Sequence, residues 1–130
     1  MTNKMTPHEK IGNLLTSLSK PVRVQIIIAI GTGEVCVCHL VSMLGLRQAY
    51  ISQQLMVLRE KQIISSRREG KYVYYRLKKP DVLDIIREVG EIVGVSKDSL
   101  LIQGHSNCEC PKCSVEEKII TTALRANGKT

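Results

Sequence analysis

Five cysteines fall into two groups: Cys36-Val37-Cys38, and Cys108-Glu109-Cys110-Pro111-Lys112-Cys113. The second group is a C-x-C-x2-C pattern in a loop containing Pro and Ser, and such a loop can turn Cys108, Cys110 and Cys113 toward one point. Lys112 beside them favours the thiolate, the form that binds metals. Soft thiolate ligands select As(III), Cd(II), Pb(II), Zn(II) or Cu(I) over hard cations. A pyramidal trithiolate suits As(III), whereas four tetrahedral sulfurs suit Cd(II) or Zn(II). Cys36 and Cys38 pose a different problem. If both sit on a regular helix, their side chains point about 200° apart, and one ion grips both only by distorting the first turn.

Four uses of these thiols are open. They can sense a thiophilic metal or metalloid. The tail group can hold a permanent zinc clip. A cysteine of the first pair and one of the tail can form a redox or persulfide switch. Finally, Cys36 or Cys38 can be a small core residue, since an unligated cysteine is often buried. A sensing site has two architectures: Cys108, Cys110 and Cys113 alone, or tail sulfurs joined by Cys36 or Cys38 within or between subunits. His8, His39 and His105 are scattered, and single histidines are more often surface or hydrogen-bonded core groups than ligands.

The elements that must position these groups follow from periodicity. Thr6-Pro7-His8-Glu9 reads as a helix entry, with Thr6 as N-cap and Glu9 three residues on. Ile11, Leu14, Leu15 and Leu18 follow at helical spacing. Pro21 opens a second helix, with Val22, Ile26, Ile27, Ala29 and Ile30 as its buried face, and Gly31-Thr32-Gly33 stops it. A third helix is expected over residues 36–44, broken by Gly45. A fourth is expected over 48–61, where Ile51, Leu55 and Leu58 make one apolar stripe. Two helices joined by a short glycine turn outline a helix-turn-helix.

Residues 63–68 and 72–77 are rich in β-branched and aromatic side chains and flank Glu69-Gly70-Lys71, which predicts a β-hairpin. On its second strand Val73, Tyr75 and Leu77 are expected to face inward, and Tyr72, Tyr74 and Arg76 outward. A further helix is predicted over 81–94. Residues 95–114 read as irregular, and 115–126 as a last short helix. The chain is mainly α with a small β-hairpin. Residues 1–100 read as a winged helix-turn-helix DNA-binding and dimerisation domain, and 101–130 as a cysteine-rich loop and C-terminal segment carrying the sensing cysteines.

Composition narrows the function. The chain has 130 residues, enough for one ordinary domain, and 19 Lys plus Arg against 12 Asp plus Glu give a net charge of +7. That balance favours a polyanionic partner, nucleic acid before membrane. With no Phe, no Trp and four Tyr, single-strand binding by aromatic stacking is disfavoured. The sequence contains no GxSxG, HExxH or glycine-rich phosphate loop, so an enzyme is not expected. Apolar runs such as 24–30 are too short to span a bilayer, and the N-terminus lacks the apolar core of a signal peptide. A cytoplasmic protein is expected, in which cysteines serve as ligands or redox thiols rather than as a disulfide framework.

On the helix over 48–61, the face opposite the apolar stripe carries Gln48, Ala49, Ser52 and Gln53, with Arg47 just before it and Tyr50 at the edge. Gln can pair bidentately with adenine, and Ser can reach a base or a phosphate. Arg47, Arg67, Arg68 and Lys71 can neutralise phosphates. A polar helix face can also be merely solvated; the order of the motifs favours DNA contact.

Taken together, the motifs resemble those of the ArsR/SmtB family of repressors. Leu18-Ser19-Lys20-Pro21-Val22-Arg23 resembles the family's L-x-x-P-x-R entry. Glu34-Val35-Cys36-Val37-Cys38-His39-Leu40 resembles its metal-binding box. Residues 44–48, 51–55 and 57–60 resemble its recognition-helix signature, and residues 68–71 and 75–77 its wing. The match runs in order over residues 10–95. His39 stands where the box usually has Asp and Gln54 where the helix often has His. The helix over 81–94 has no His for the family's other common metal site. The resemblance implies a homodimer, built on the first helix and the helix after the wing, that binds double-stranded operator DNA. It also implies release of that DNA when a metal or metalloid binds at the box; with the chelating spacing of the tail, the expected ligands are Cys108, Cys110 and Cys113 with help from Cys36 or Cys38, and the expected ion is As(III), Cd(II), Pb(II) or Zn(II). The alternative of another class is a constitutive DNA-binding protein with a structural zinc tail.

Overall fold

The computed structural model describes residues 4–100. Cys108, Cys110, Cys113, the segment 101–130 and the helix expected over 115–126 lie outside the described residues. The order of elements is α1 (Pro7–Ser17), α2 (Pro21–Ile30), β1 (Glu34–Cys36), α3 (Val37–Leu44), α4 (Gln48–Glu60), β2 (Ile64–Glu69), β3 (Tyr72–Leu77) and α5 (Val82–Ile92), followed by a 3-10 turn at Lys97–Leu100. The helix-turn-helix is α3 and α4, and the wing is the β2–β3 hairpin.

Local chemistry sets the helix ends. Thr6 and Glu9 form a complete capping box: the Glu9 amide donates to Thr6 Oγ1 at 3.1 Å, and the Thr6 amide donates to Glu9 Oε2 at 2.8 Å. Between α3 and α4, Gly45 adopts the left-handed conformation (φ 65°) that ends a helix in one residue, and its amide donates to the Val41 carbonyl. At the end of α4, the Ile63 amide reaches the Leu58 carbonyl and the Gln62 amide that of Arg59. This double closure sends the chain straight from α4 into the wing.

α2 is the central helix, with Val22, Ile26, Ile27 and Ile30 all buried. Around it pack Leu40 of α3, Ile51, Leu55 and Leu58 of α4, Ile63 just before β2, Ile64 and Leu77 from the sheet, and Val82 and Ile86 of α5. Each fully buried Leu or Ile contributes about 1.5–3 kcal/mol relative to an exposed one, so the α4 stripe alone holds that helix firmly against the core.

The sheet differs from the expected hairpin. It has three antiparallel strands in the order β1-β3-β2, with Cys36 opposite Tyr74 and Arg67 also opposite Tyr74. Residues 34–36 form the added edge strand, so Cys36 ends a strand rather than starting a helix. Its backbone is extended (φ −92°, ψ 166°), and it caps α3 from outside. Leu77 is buried and Arg76 exposed, as alternation predicts, but Tyr74, expected to face outward, is buried, and Tyr72, Val73 and Tyr75 are all half-buried. Tyr74 forms a second small cluster with Cys36, against which Tyr72 packs.

Candidate nucleic-acid interface and sulfur pair

The stripe of α4 determines what its other side can do. With Ile51, Gln54, Leu55 and Leu58 buried, Gln48, Ala49, Ser52 and Gln53 are left exposed along with Tyr50, and Arg47 is exposed at the N-cap. Met56 continues the same exposed face, an apolar side chain that a reading based on polar residues passed over. The position of α4 is fixed by two polar links that sequence reasoning also missed. Arg23 Nε on α2 donates to Gln54 Oε1 at 2.9 Å, and Arg23 Nη1 reaches the Ser17 carbonyl. Arg59 Nη1 donates to Ser66 Oγ at 3.2 Å, joining α4 to β2. Gln54, in the position noted for its departure from His, is therefore a buried partner of Arg23 rather than a surface group.

In the wing, Arg68 and Lys71 are exposed, and Lys71 Nζ lies 5.4 Å from the centre of the Tyr72 ring. Arg67 is differently placed. Its Nε and Nη2 grip both oxygens of Glu34 at 2.7 and 3.0 Å, Nη1 donates to Glu69 Oε2 at 2.8 Å, and its Cζ lies 4.8 Å from the centre of the Tyr74 ring. The hydrogen bonds it donates to Glu34, then to Glu69, raise the pKa of this guanidinium, so its charge is held.

At the junction of β1 and α3, the sulfurs of Cys36 and Cys38 are 2.9 Å apart. The expected divergence of about 200° presupposed that both lay on a helix. With Cys36 on the strand and Cys38 on the first turn, the junction brings the two together without distorting α3. Cys36 is buried and Cys38 exposed. The 2.9 Å separation exceeds the roughly 2.05 Å of a disulfide, so the two sulfurs touch without being joined to each other. Among the described residues, no three His, Cys, Asp or Glu side chains gather as a metal site, so the pair on its own offers two sulfurs.

Residues 20–66 match the model of the bacterial regulatory protein arsR family. A biofilm growth-associated repressor from Agrobacterium fabrum is 34% identical over 91 residues, which cover 70% of this chain and 78% of the relative. The chain belongs to the ArsR family. Its members are regulatory proteins rather than enzymes. An arsenic resistance transcriptional regulator from Pseudomonas putida is 53% identical over 45 residues, 35% of each chain. Among solved structures, the transcriptional repressor BigR from Xylella fastidiosa superposes with a TM-score of 0.57 at 34% identity, covering 66% of this chain and 88% of the other. This ArsR-family chain spans 60–63% of the length of several other curated relatives it matches. No helix among the described residues is long and apolar enough to cross a membrane.

Proposed function

We propose that this ArsR-family chain is a dimeric cytoplasmic repressor that releases operator DNA when its cysteines bind a thiophilic metal or metalloid. Arg47, Gln48, Tyr50, Ser52 and Gln53 of α4 read the major groove, and Arg68 and Lys71 of the wing contact phosphates. Arg67, already held by two carboxylates, is left out of this set. The apolar side chains exposed on α1 (Ile11 and Leu15), on α5 (Val89 and Ile92) and at its C-cap (Val93) supply the dimer interface. A dimer presents two copies of α4 to a two-fold symmetric site.

The observation that carries the sensing reading is the pairing of Cys36 and Cys38 at 2.9 Å across the β1–α3 junction that opens the helix-turn-helix. Two converging sulfurs become a complete soft site when Cys108, Cys110 and Cys113 add theirs, with As(III), Cd(II), Pb(II) or Zn(II) as the ion. An ion drawing on both groups pulls at the junction that aims α3 and α4. Coupling of about 1–3 kcal/mol is the ordinary size for such a link, and it is reciprocal, so operator DNA weakens ion binding by the same factor.

The close contact of the Cys36 and Cys38 sulfurs equally favours a second reading, a redox or persulfide switch on the same cysteines. One experiment separates the two. Reduced, metal-free protein is titrated anaerobically with As(III), Cd(II) and Zn(II), following thiolate-to-metal absorbance together with binding to an operator selected from random duplexes. Stoichiometric loading with DNA release supports the metal sensor. Loading without release, followed by release on adding peroxide or polysulfide, supports the switch. Retained DNA binding under all of these conditions points to a constitutive binder with a structural zinc tail.

A further inference from the structure

One face of the sheet carries a row of contacts running from the sulfur pair to the wing. Cys36 on β1 lies opposite Tyr74 on β3, and Tyr74 lies opposite Arg67 on β2, so the three share one face in a single line across the strands. Cys36 and Tyr74 are both 3% exposed and pack together. The Arg67 guanidinium rests over the Tyr74 ring. Glu34, two residues before Cys36 and on the same face, closes the circuit by gripping Arg67 with both oxygens. The β1 strand thus touches the wing at both ends of the row, through a buried sulfur–aromatic contact and through a bidentate ion pair.

We infer that Arg67 is a positioning residue, and that the row Cys36–Tyr74–Arg67, closed by Glu34, carries a change at the Cys36 sulfur to the wing. Buried neighbours packed in contact cannot absorb a change in volume independently. When Cys36 is pulled toward an ion or bonded to another sulfur, Tyr74 shifts. Arg67 then loses either its seat on the ring or its fork on Glu34. The hairpin carrying Arg68 and Lys71 moves with it. The biological input rests on the proposed sensing by cysteines; the mechanical link does not.

The link is tested without any ion. In 15N-labelled, reduced, full-length protein, the Arg67 Nε–H signal is assigned by its loss in Arg67→Lys. Cys36→Ala and Cys36→Val respectively empty and overfill the space beside Tyr74, so the test does not depend on either variant alone folding. The expected result is a displaced Arg67 Nε–H signal with hydrogen exchange faster by about fivefold or more. The Arg23 Nε–H signal, bonded to Gln54 away from the row, stays in place. An unmoved Arg67 signal overturns the inference, as does movement of both signals together. The functional arm uses Glu34→Gln. This variant should load Cd(II) or As(III) with wild-type affinity but show a loss of operator affinity on loading reduced by about tenfold. Undiminished release in Glu34→Gln also overturns the inference. If the wild type loads ions and keeps its DNA, the sensing reading fails, while the Arg67 signal still decides the link.

Discussion

The exposed face of α4 and the outer face of the wing sheet both present polar and charged side chains, yet they are built differently. On α4, Gln48, Ser52 and Gln53 project from a helix whose position is set by other residues, by Ile51, Leu55 and Leu58 and by the Arg23–Gln54 and Arg59–Ser66 bonds. They can meet a base edge without breaking an internal bond. In the wing, Arg67 is engaged three times by carboxylates and once by an aromatic ring. A phosphate would have to replace those partners, and exchanging one charged partner for another gains little. Exposure alone therefore does not mark a nucleic-acid contact; an exposed group without a competing partner is the better candidate.

The largest expected effect breaks the α4 side of this contrast from behind. Leu55 is 1% exposed, and Leu55→Ala should cost about 2–5 kcal/mol of stability, read by urea denaturation. Operator affinity should fall with it, because α4 loses its seat. If stability drops and DNA binding at low temperature is fully retained, the polar face does not depend on its apolar stripe.

Gln53→Ala comes next. It should leave the denaturation midpoint nearly unchanged and cost about 1–3 kcal/mol of operator affinity, concentrated at one base position. Binding to a panel of duplexes with single-base changes reads this as relaxed preference at that position. A uniform loss over all duplexes would make Gln53 a backbone contact instead.

Much of α1, α3 and α4 was legible in the sequence because their signals are local. The i, i+4, i+7 stripe, the Gly45 stop and the Thr6–Glu9 capping box lie within a few residues of the groups they control. Gly70 likewise announced the hairpin. The sulfur pair and the Arg67 fork were not legible, for one shared reason. β1 is three residues long, too short to show alternation, and its only justification is pairing with β3 far along the chain. Without β1, Cys36 reads as a helical residue and its sulfur diverges from that of Cys38. Without β1, Glu34 has no reason to meet Arg67, 33 positions away. The alternation in β3 placed Tyr74 on the correct face but did not show that Cys36 and Arg67 would cover it. The three cysteines expected to complete the site lie outside the described residues, so their part stays with the titration.

Lys71→Ala isolates the unspecific part of the wing. Removing one phosphate contact should weaken binding to all duplexes alike and reduce the slope of log affinity against log salt by about 0.9. A sequence-dependent loss would place Lys71 against bases in the minor groove.

The smallest effect sharpens the comparison most, because it sets two adjacent arginines of one strand against each other. Arg67 and Arg68 have the same charge and are both exposed, but successive residues of a strand point to opposite faces. Arg67 is paired with Glu34 and Glu69, whereas Arg68 has no ion pair among the described residues. In the metal-free state Arg68→Ala should weaken operator binding by about 0.5–1 kcal/mol and lower the salt slope like Lys71→Ala. Arg67→Ala should change the slope less than Arg68→Ala, because the phosphate field never had the whole of its charge; the affinity it loses comes from the hairpin it seats rather than from a phosphate contact. Equal slopes would mean that the carboxylate fork opens on DNA, and that Arg67 belongs with the α4 residues as a direct contact.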